Sequence, residues 1–192
     1  MRARPNGRTS GELDQAVDYI LDQARTTLRA LDAKTTRDFV AELAEAKRVF
    51  VYGAGRSGMV ARAFAVRLAH LGYTVYVIGE TVAAPVQKGD VVVLVSGTGE
   101  TYPVAMSAEI AKNIGASVLV LTAHRRSKVA SFGDVVLEIA GDASTQRDPR
   151  LAPLGTLFET TTWIFLDGVV AELMARRHQT EEMLRQRHAT ME

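Results

Sequence analysis

Three hydroxyls and two interleaved glycines, Ser96-Gly97-Thr98-Gly99-Glu100-Thr101, follow directly on the apolar run Val91-Val92-Val93-Leu94-Val95. A strand that stops in such residues before a helical pattern leaves backbone N–H groups and hydroxyls exposed at a helix N-terminus, which is a ready site for a phosphate group. On a parallel-sheet edge such a site takes a small phosphorylated ligand, and sugar-phosphate chemistry is the expectation. A second turn, Gly53-Ala54-Gly55-Arg56-Ser57-Gly58, closes an earlier apolar run. Adjacent strand ends form the ligand crevice of an open parallel sheet. Read together, the two turns place Ser96, Gly97, Thr98, Gly99 and Thr101 on the phosphate, with Gly55 and Ser57 facing the sugar chain.

Each motif also has a purely structural reading. Ser57 and Thr101 stand where helix caps are favoured, but capping accounts for one hydroxyl per turn, not for three with two glycines. The turn at 53–58 matches GxGxxG literally, yet a nicotinamide cofactor also wants an acidic residue about 20 positions on. Glu80, after Val75-Tyr76-Val77-Ile78-Gly79, is a late candidate for that role. Glu100 would repel a dianion and is expected to support the start of the following helix. The basic cluster His124-Arg125-Arg126 reads as a solvated loop.

The elements that must position these residues follow from periodicity. Helical spacing runs from Ser10 to about Leu31, and a second helix is expected from about Thr36 to Ala46. Strands are expected at Arg48–Tyr52, Thr74–Ile78, Asp90–Val95, Ser117–Thr122 and Val135–Ile139, with helices at Met59–Leu71 and Thr101–Ile114, each closed by a glycine. A polar loop over Gly141–Arg150 leads to a long closing helix, Pro153 to about Arg176, and a short one from Thr180 to about Thr190. Strands alternating with helices imply an α/β three-layer sandwich, a five-stranded parallel sheet covered on both faces. The closing helix is apolar around most of its circumference, and a subunit interface is the expected way to bury it.

The bulk properties set limits. The 192 residues suit one domain, residues 10–192, behind a tail at 1–9. A hydrophobic content of 47%, a charged content of 23% and a formal net charge of +1 give no reason to expect nucleic acid or membrane partners. The absence of cysteine and of an apolar leader after the basic start fits a cytoplasmic protein. The histidines at 70, 124, 178 and 188 show no HxxxH or HExxH spacing, so no metal site is expected.

The two turns, together with Arg67-Leu68-Ala69-His70-Leu71-Gly72 and Pro153-Leu154-Gly155-Thr156-Leu157-Phe158-Glu159, resemble the sugar isomerase (SIS) domain. Within it the chain is similar to the 6-phospho-3-hexuloisomerases, the tail Arg187-His188-Ala189 included. The likeness covers nearly the whole chain after the first few residues. Thr98 stands where that family often has Ser, and both supply a hydroxyl.

The resemblance implies a flavodoxin-like sheet and the cofactor-free interconversion of D-arabino-3-hexulose 6-phosphate and fructose 6-phosphate. A proton leaves C2, an enediol forms and a proton returns at C3, which calls for one carboxylate base and donors for the developing oxyanion. By resemblance Glu159 is the base, although Thr156-Leu157-Phe158-Glu159 equally reads as a capping box. His70 is a candidate ring-opening acid, or a helix-terminal histidine meeting the dipole. His188 would reach a neighbouring subunit's crevice, or lie solvated. Arg56 would neutralise phosphate or enediolate charge, or be a loop residue in solvent. The resemblance further implies a homo-oligomer (a tetramer, with a dimer as the alternative) and a functional link to 3-hexulose-6-phosphate synthase in formaldehyde fixation by the ribulose monophosphate pathway. The competing readings are another isomerase of this fold, for arabinose 5-phosphate or sedoheptulose 7-phosphate, and a non-catalytic sugar-phosphate sensor. An arabinose 5-phosphate isomerase would commonly carry appended modules, and a sensor an N-terminal helix-turn-helix, of which the first two helices show no basic recognition face.

Overall fold

The computed structural model describes residues 11–140 and 148–190. Two helices, α1 (Glu12–Arg29) and α2 (Ala33–Glu45), precede β1 (Arg48–Gly53), α3 (Gly55–His70) and β2 (Thr74–Val77). Then come β3 (Val91–Val95), α4 (Tyr102–Ile114), β4 (Ser117–Thr122), a single 3₁₀ turn at Ala130–Phe132, β5 (Val135–Glu138), α5 (Thr156–Arg176) and α6 (Glu181–Arg185). The expected tail at 1–9 and most of the expected loop at Gly141–Arg150 lie outside the described residues.

The five strands are all parallel, in the order β2-β1-β3-β4-β5. Chain direction across the sheet reverses between β1 and β3, which makes their carboxyl ends the topological switch point. β3 is buried along its whole length because a middle strand covered on both faces has no use for polar alternation. Successive side chains point to opposite faces. Val49, Val51, Val93 and Val95 enter the layer built by α2, α3 and α5, while Phe50, Val92, Leu94, Val118 and Val120 enter the layer built by α4. Gly53 pairs with Val95, so β1 and β3 end level and their two turns start side by side. The sheet edge that carries the cradle is thus the carboxyl edge of the middle strand. At the amino edge Arg48 of β1 grips the buried Asp90 with two hydrogen bonds, of 2.8 and 2.5 Å, tying the same two strands together.

Several boundaries differ from those read in the sequence. α3 begins at Gly55 rather than Met59, because the helix opens inside the glycine turn. The closing helix begins at Thr156, and α6 stops at Arg185 instead of running to about Thr190. α5 is mostly covered from within the chain. Leu157, Phe158, Phe165, Leu166, Val169, Val170 and Leu173 are buried within the chain itself, where α1, α2 and α3 pack on the helix. Trp163 and Ile164 of α5 stay exposed, and apolar side chains are also left exposed in rows on α4 (Tyr102, Met106, Ile110, Ile114) and α1 (Leu13, Val17, Leu21). Among the described residues no helix is long and apolar enough to cross a membrane.

Candidate active site

The turn after β1 owes its glycines to packing. A Cβ on Gly53 would stand 2.8 Å from the Val95 carbonyl oxygen, and one on Gly58 only 2.5 Å from the Gly53 carbonyl oxygen. Glycine at both positions lets α3 start directly against the strand end. The acidic residue that a dinucleotide fold would require is not on offer. Glu80 lies past the end of β2 and its carboxylate is paired with Arg62. Ser57 falls inside the first turn of α3, whose cap is Ala54, so its hydroxyl does no capping. Arg56 beside it is largely exposed.

The turn after β3 is fastened from behind by the segment that follows β4. The Gly97 carbonyl accepts from the Ala123 N–H at 3.0 Å and from the Thr122 hydroxyl at 3.4 Å, and the Gly99 carbonyl accepts from the Val129 N–H at 2.8 Å. These bonds turn the Gly97 and Gly99 carbonyls into the protein, while within the turn the Gly99 N–H donates to the Ser96 carbonyl at 3.1 Å. Gly99 adopts φ +67°, and the Ser127 side chain occupies the place a Cβ would take, so only glycine fits. The expectation for Glu100 is corrected here: its carboxylate accepts from the Lys128 N–H at 3.0 Å and ties the two loops together. Thr101 is the cap residue of α4 by position, but its side chain makes no capping bond. Instead the buried Ser96 hydroxyl donates to the Thr101 hydroxyl at 3.4 Å. Thr98 is exposed, its hydroxyl accepting from the Glu100 N–H at 3.2 Å. The cradle hydroxyls therefore divide into an exposed one, Thr98, and a buried one, Ser96, that supports Thr101.

Glu159 sits in the first turn of α5, and the capping-box reading does not hold there. The cap residue is Gly155, while Thr156 is the first helical residue and donates its hydroxyl to the Pro153 carbonyl at 2.6 Å. The Glu159 carboxylate, mostly shielded from solvent, accepts instead from the Arg56 guanidinium, 103 residues away in sequence. Arg56, Met59, Val60, Glu159, Thr160 and Trp163 line a cavity of about 160 Å³. Neither Met59 nor Trp163 is a site candidate in the sequence, where Trp163 reads only as part of the apolar circumference of the closing helix. Their spacing was the available signal, Met59 three residues after Arg56 and Trp163 four after Glu159, on the same helix faces.

The two histidines do not join this group within the chain. His70 is buried in the last turn of α3, and its ring stacks on that of His188 with centroids 5.0 Å apart. Arg187 secures the arrangement by donating to the His70 carbonyl at 3.1 Å and to Gln179 at 2.8 Å. Arg56 opens α3 and His70 closes it, a separation of roughly 20 Å at the helical rise of about 1.5 Å per residue. His124, Arg125 and Arg126 line a different cavity, of about 720 Å³, with Thr98, Glu100, Ser127 and Glu138. No group of three or more metal-ligating side chains occurs among the described residues.

What the switch point assembles is an N–H and hydroxyl cradle, a carboxylate and a guanidinium. That set can hold a phosphate, move a proton next to a carbonyl and stabilise the oxyanion that results. A sequence profile of the SIS domain matches residues 42–162. A protein of Archaeoglobus fulgidus is 43% identical over 92% of this chain and 98% of its own length. The 3-hexulose-6-phosphate isomerase of Methylomonas aminofaciens is 38% identical over 77% of this chain and 82% of that enzyme. Among solved structures, a Methanococcus jannaschii protein whose crystal structure infers a function as 3-hexulose-6-phosphate isomerase superposes with a TM-score of 0.80, at 33% identity, covering 94% of this chain and 99% of that one.

Proposed function

The chain belongs to the SIS domain family, and on that premise we propose that it is a sugar-phosphate isomerase interconverting D-arabino-3-hexulose 6-phosphate and fructose 6-phosphate. Relatives that carry the name 3-hexulose-6-phosphate isomerase, at 30–38% identity, support the substrate. The observation that carries the reading is the Glu159 carboxylate, held by Arg56 where the turn after β1 meets α5. In this mechanism Thr98, Thr101, Gly97 and Gly99 hold the phosphate, and Gly55 and Ser57 line the path of the carbon chain. Glu159 takes the proton from C2 of the hexulose, and electrons move into the C3 carbonyl to give a cis-enediolate. Arg56 offsets the developing charge. The proton of the C2 hydroxyl passes to the C3 oxygen, and Glu159 then returns its proton to C3 as the C2 oxygen becomes the ketone of fructose 6-phosphate. No step calls on a metal or an organic cofactor.

Glu159→Gln tests the base, because an amide keeps the shape and cannot accept the proton. A folded variant with turnover lowered by about 10²–10⁴-fold is expected. Near-normal turnover would remove Glu159 from the mechanism. His70 and His188 are proposed to serve as acid only across a subunit boundary, since their own Glu159 is out of reach. Accordingly we place the enzyme in a homo-oligomer, a tetramer, and a monomer mass in light scattering at micromolar concentration would overturn that. Its substrate would be supplied in the cytoplasm by 3-hexulose-6-phosphate synthase, which joins formaldehyde to ribulose 5-phosphate.

A further inference from the structure

We propose that two glycine clearances, Gly97 against the Phe158 ring and Gly155 against the Glu159 carboxylate, set the position of that carboxylate relative to the phosphate cradle. The inference rests on Glu159 being the base and concerns how its geometry is set. A Cβ at Gly97 would come within 3.0 Å of Phe158 Cδ1 and 3.5 Å of Cε1 and Cγ, so the ring lies flush against the cradle backbone. Phe158 is buried in the core layer of α5 and precedes Glu159 directly. The bare backbone of Gly97 therefore acts as the stop against which the first turn of α5 is seated. The second clearance is on the other side of the base. A Cβ at Gly155 would stand 3.1 Å from Glu159 Oε1, tight enough that the carboxylate must give by a few tenths of an ångström. Gly155 has φ −81°, a conformation any residue adopts, so its glycine is not required by the backbone. What glycine provides there is room for the carboxylate.

Neither Phe158 nor Gly155 touches the reacting carbons in this mechanism; both are positioning residues. Misplacing a catalytic group by 1 Å can cost about 10²-fold, and the shift forced by a methyl at Gly155 is a few tenths of that. Gly155→Ala is expected to lower kcat by about 3- to 10-fold with KM unchanged. Gly97→Ala pushes on the ring and is expected to lower kcat as well, with part of the loss recovered in Gly97→Ala/Phe158→Leu, where the smaller side chain makes room for the added methyl. Steady-state kinetics on fructose 6-phosphate, with thermal denaturation of each variant, reads both effects.

Unchanged kcat in Gly155→Ala, or a double variant no better than Gly97→Ala, overturns the inference. If the double variant fails to fold, Gly155→Ala decides alone. Glu159→Gln in the same assay separates the two failures. An inactive Glu159→Gln beside unaffected glycine variants defeats the positioning role only, whereas an active Glu159→Gln defeats the base on which it rests.

Discussion

Ser96 and Thr98 look equivalent on paper, two hydroxyls two residues apart, and the fold makes them different. Ser96 is 2% exposed and spends its hydroxyl on Thr101, whereas Thr98 is exposed at the cradle mouth. A hydrogen bond to a charged group contributes about 1.5–3 kcal/mol. Thr98→Ala should therefore raise KM by about 10-fold or more, leaving kcat near its original value if the contact is equally strong in ground and transition states. Ser96→Ala acts only through Thr101, across a long 3.4 Å bond, and should raise KM less. The reverse order in initial-rate measurements would mean that the cradle binds phosphate in some other geometry. The hydroxyl and glycine composition of the cradle was legible because it is local. The pairing of Arg56 with Glu159 was not, since it joins two helix starts 103 residues apart and depends on which strands adjoin.

At the scale of elements, strands were read nearly to the residue, since a buried parallel strand is a continuous apolar run bounded by glycine or polar residues. The 3₁₀ turn at Ala130–Phe132 left no such mark, and its role, presenting Val129 to the Gly99 carbonyl, is tertiary. Helix starts were harder. A glycine turn that is also the first turn of a helix hides the onset of α3, and the capping box that was the alternative reading at Thr156 gave way to a cap at Gly155.

The approach to α5 supports one pH prediction. Asp148 accepts from both the Arg150 side chain and backbone, which lowers its pKa from 3.8 to about 2. A depressed folded-state value means stability that is present above pH 3.8 and lost as pH falls through about 2. Asp148→Asn should accordingly flatten the acid limb of the Tm-against-pH curve between pH 4 and pH 2, with little change in its shape near neutrality. An acid limb identical to that of the parent protein would assign the interaction no part in seating α5.

For the molecule as a whole, the fold explains why the carboxyl edge carries the chemistry. Level strand ends at Gly53 and Val95 bring two turns together, and α5 returns to lay its first turn beside them. The apolar surface expected on α5 is only partly left over, as Trp163 and Ile164. Most of the apolar side chains of α5 are absorbed inside the chain, where their burial could not be told from an interface by composition alone, and further exposed apolar rows lie on α4 and α1. His70 and His188 are also placed by the whole fold, stacked about one helix length from Glu159.

The central claim is a 2,3-proton shift on a hexulose phosphate, and exchange of carbon-bound hydrogen tests it whichever product forms. Fructose 6-phosphate incubated with the enzyme in heavy water and followed by NMR should acquire deuterium at C3. Deuterium at C1 instead would assign an aldose-ketose isomerase, and no incorporation at either carbon would leave a protein that binds sugar phosphate without transforming it.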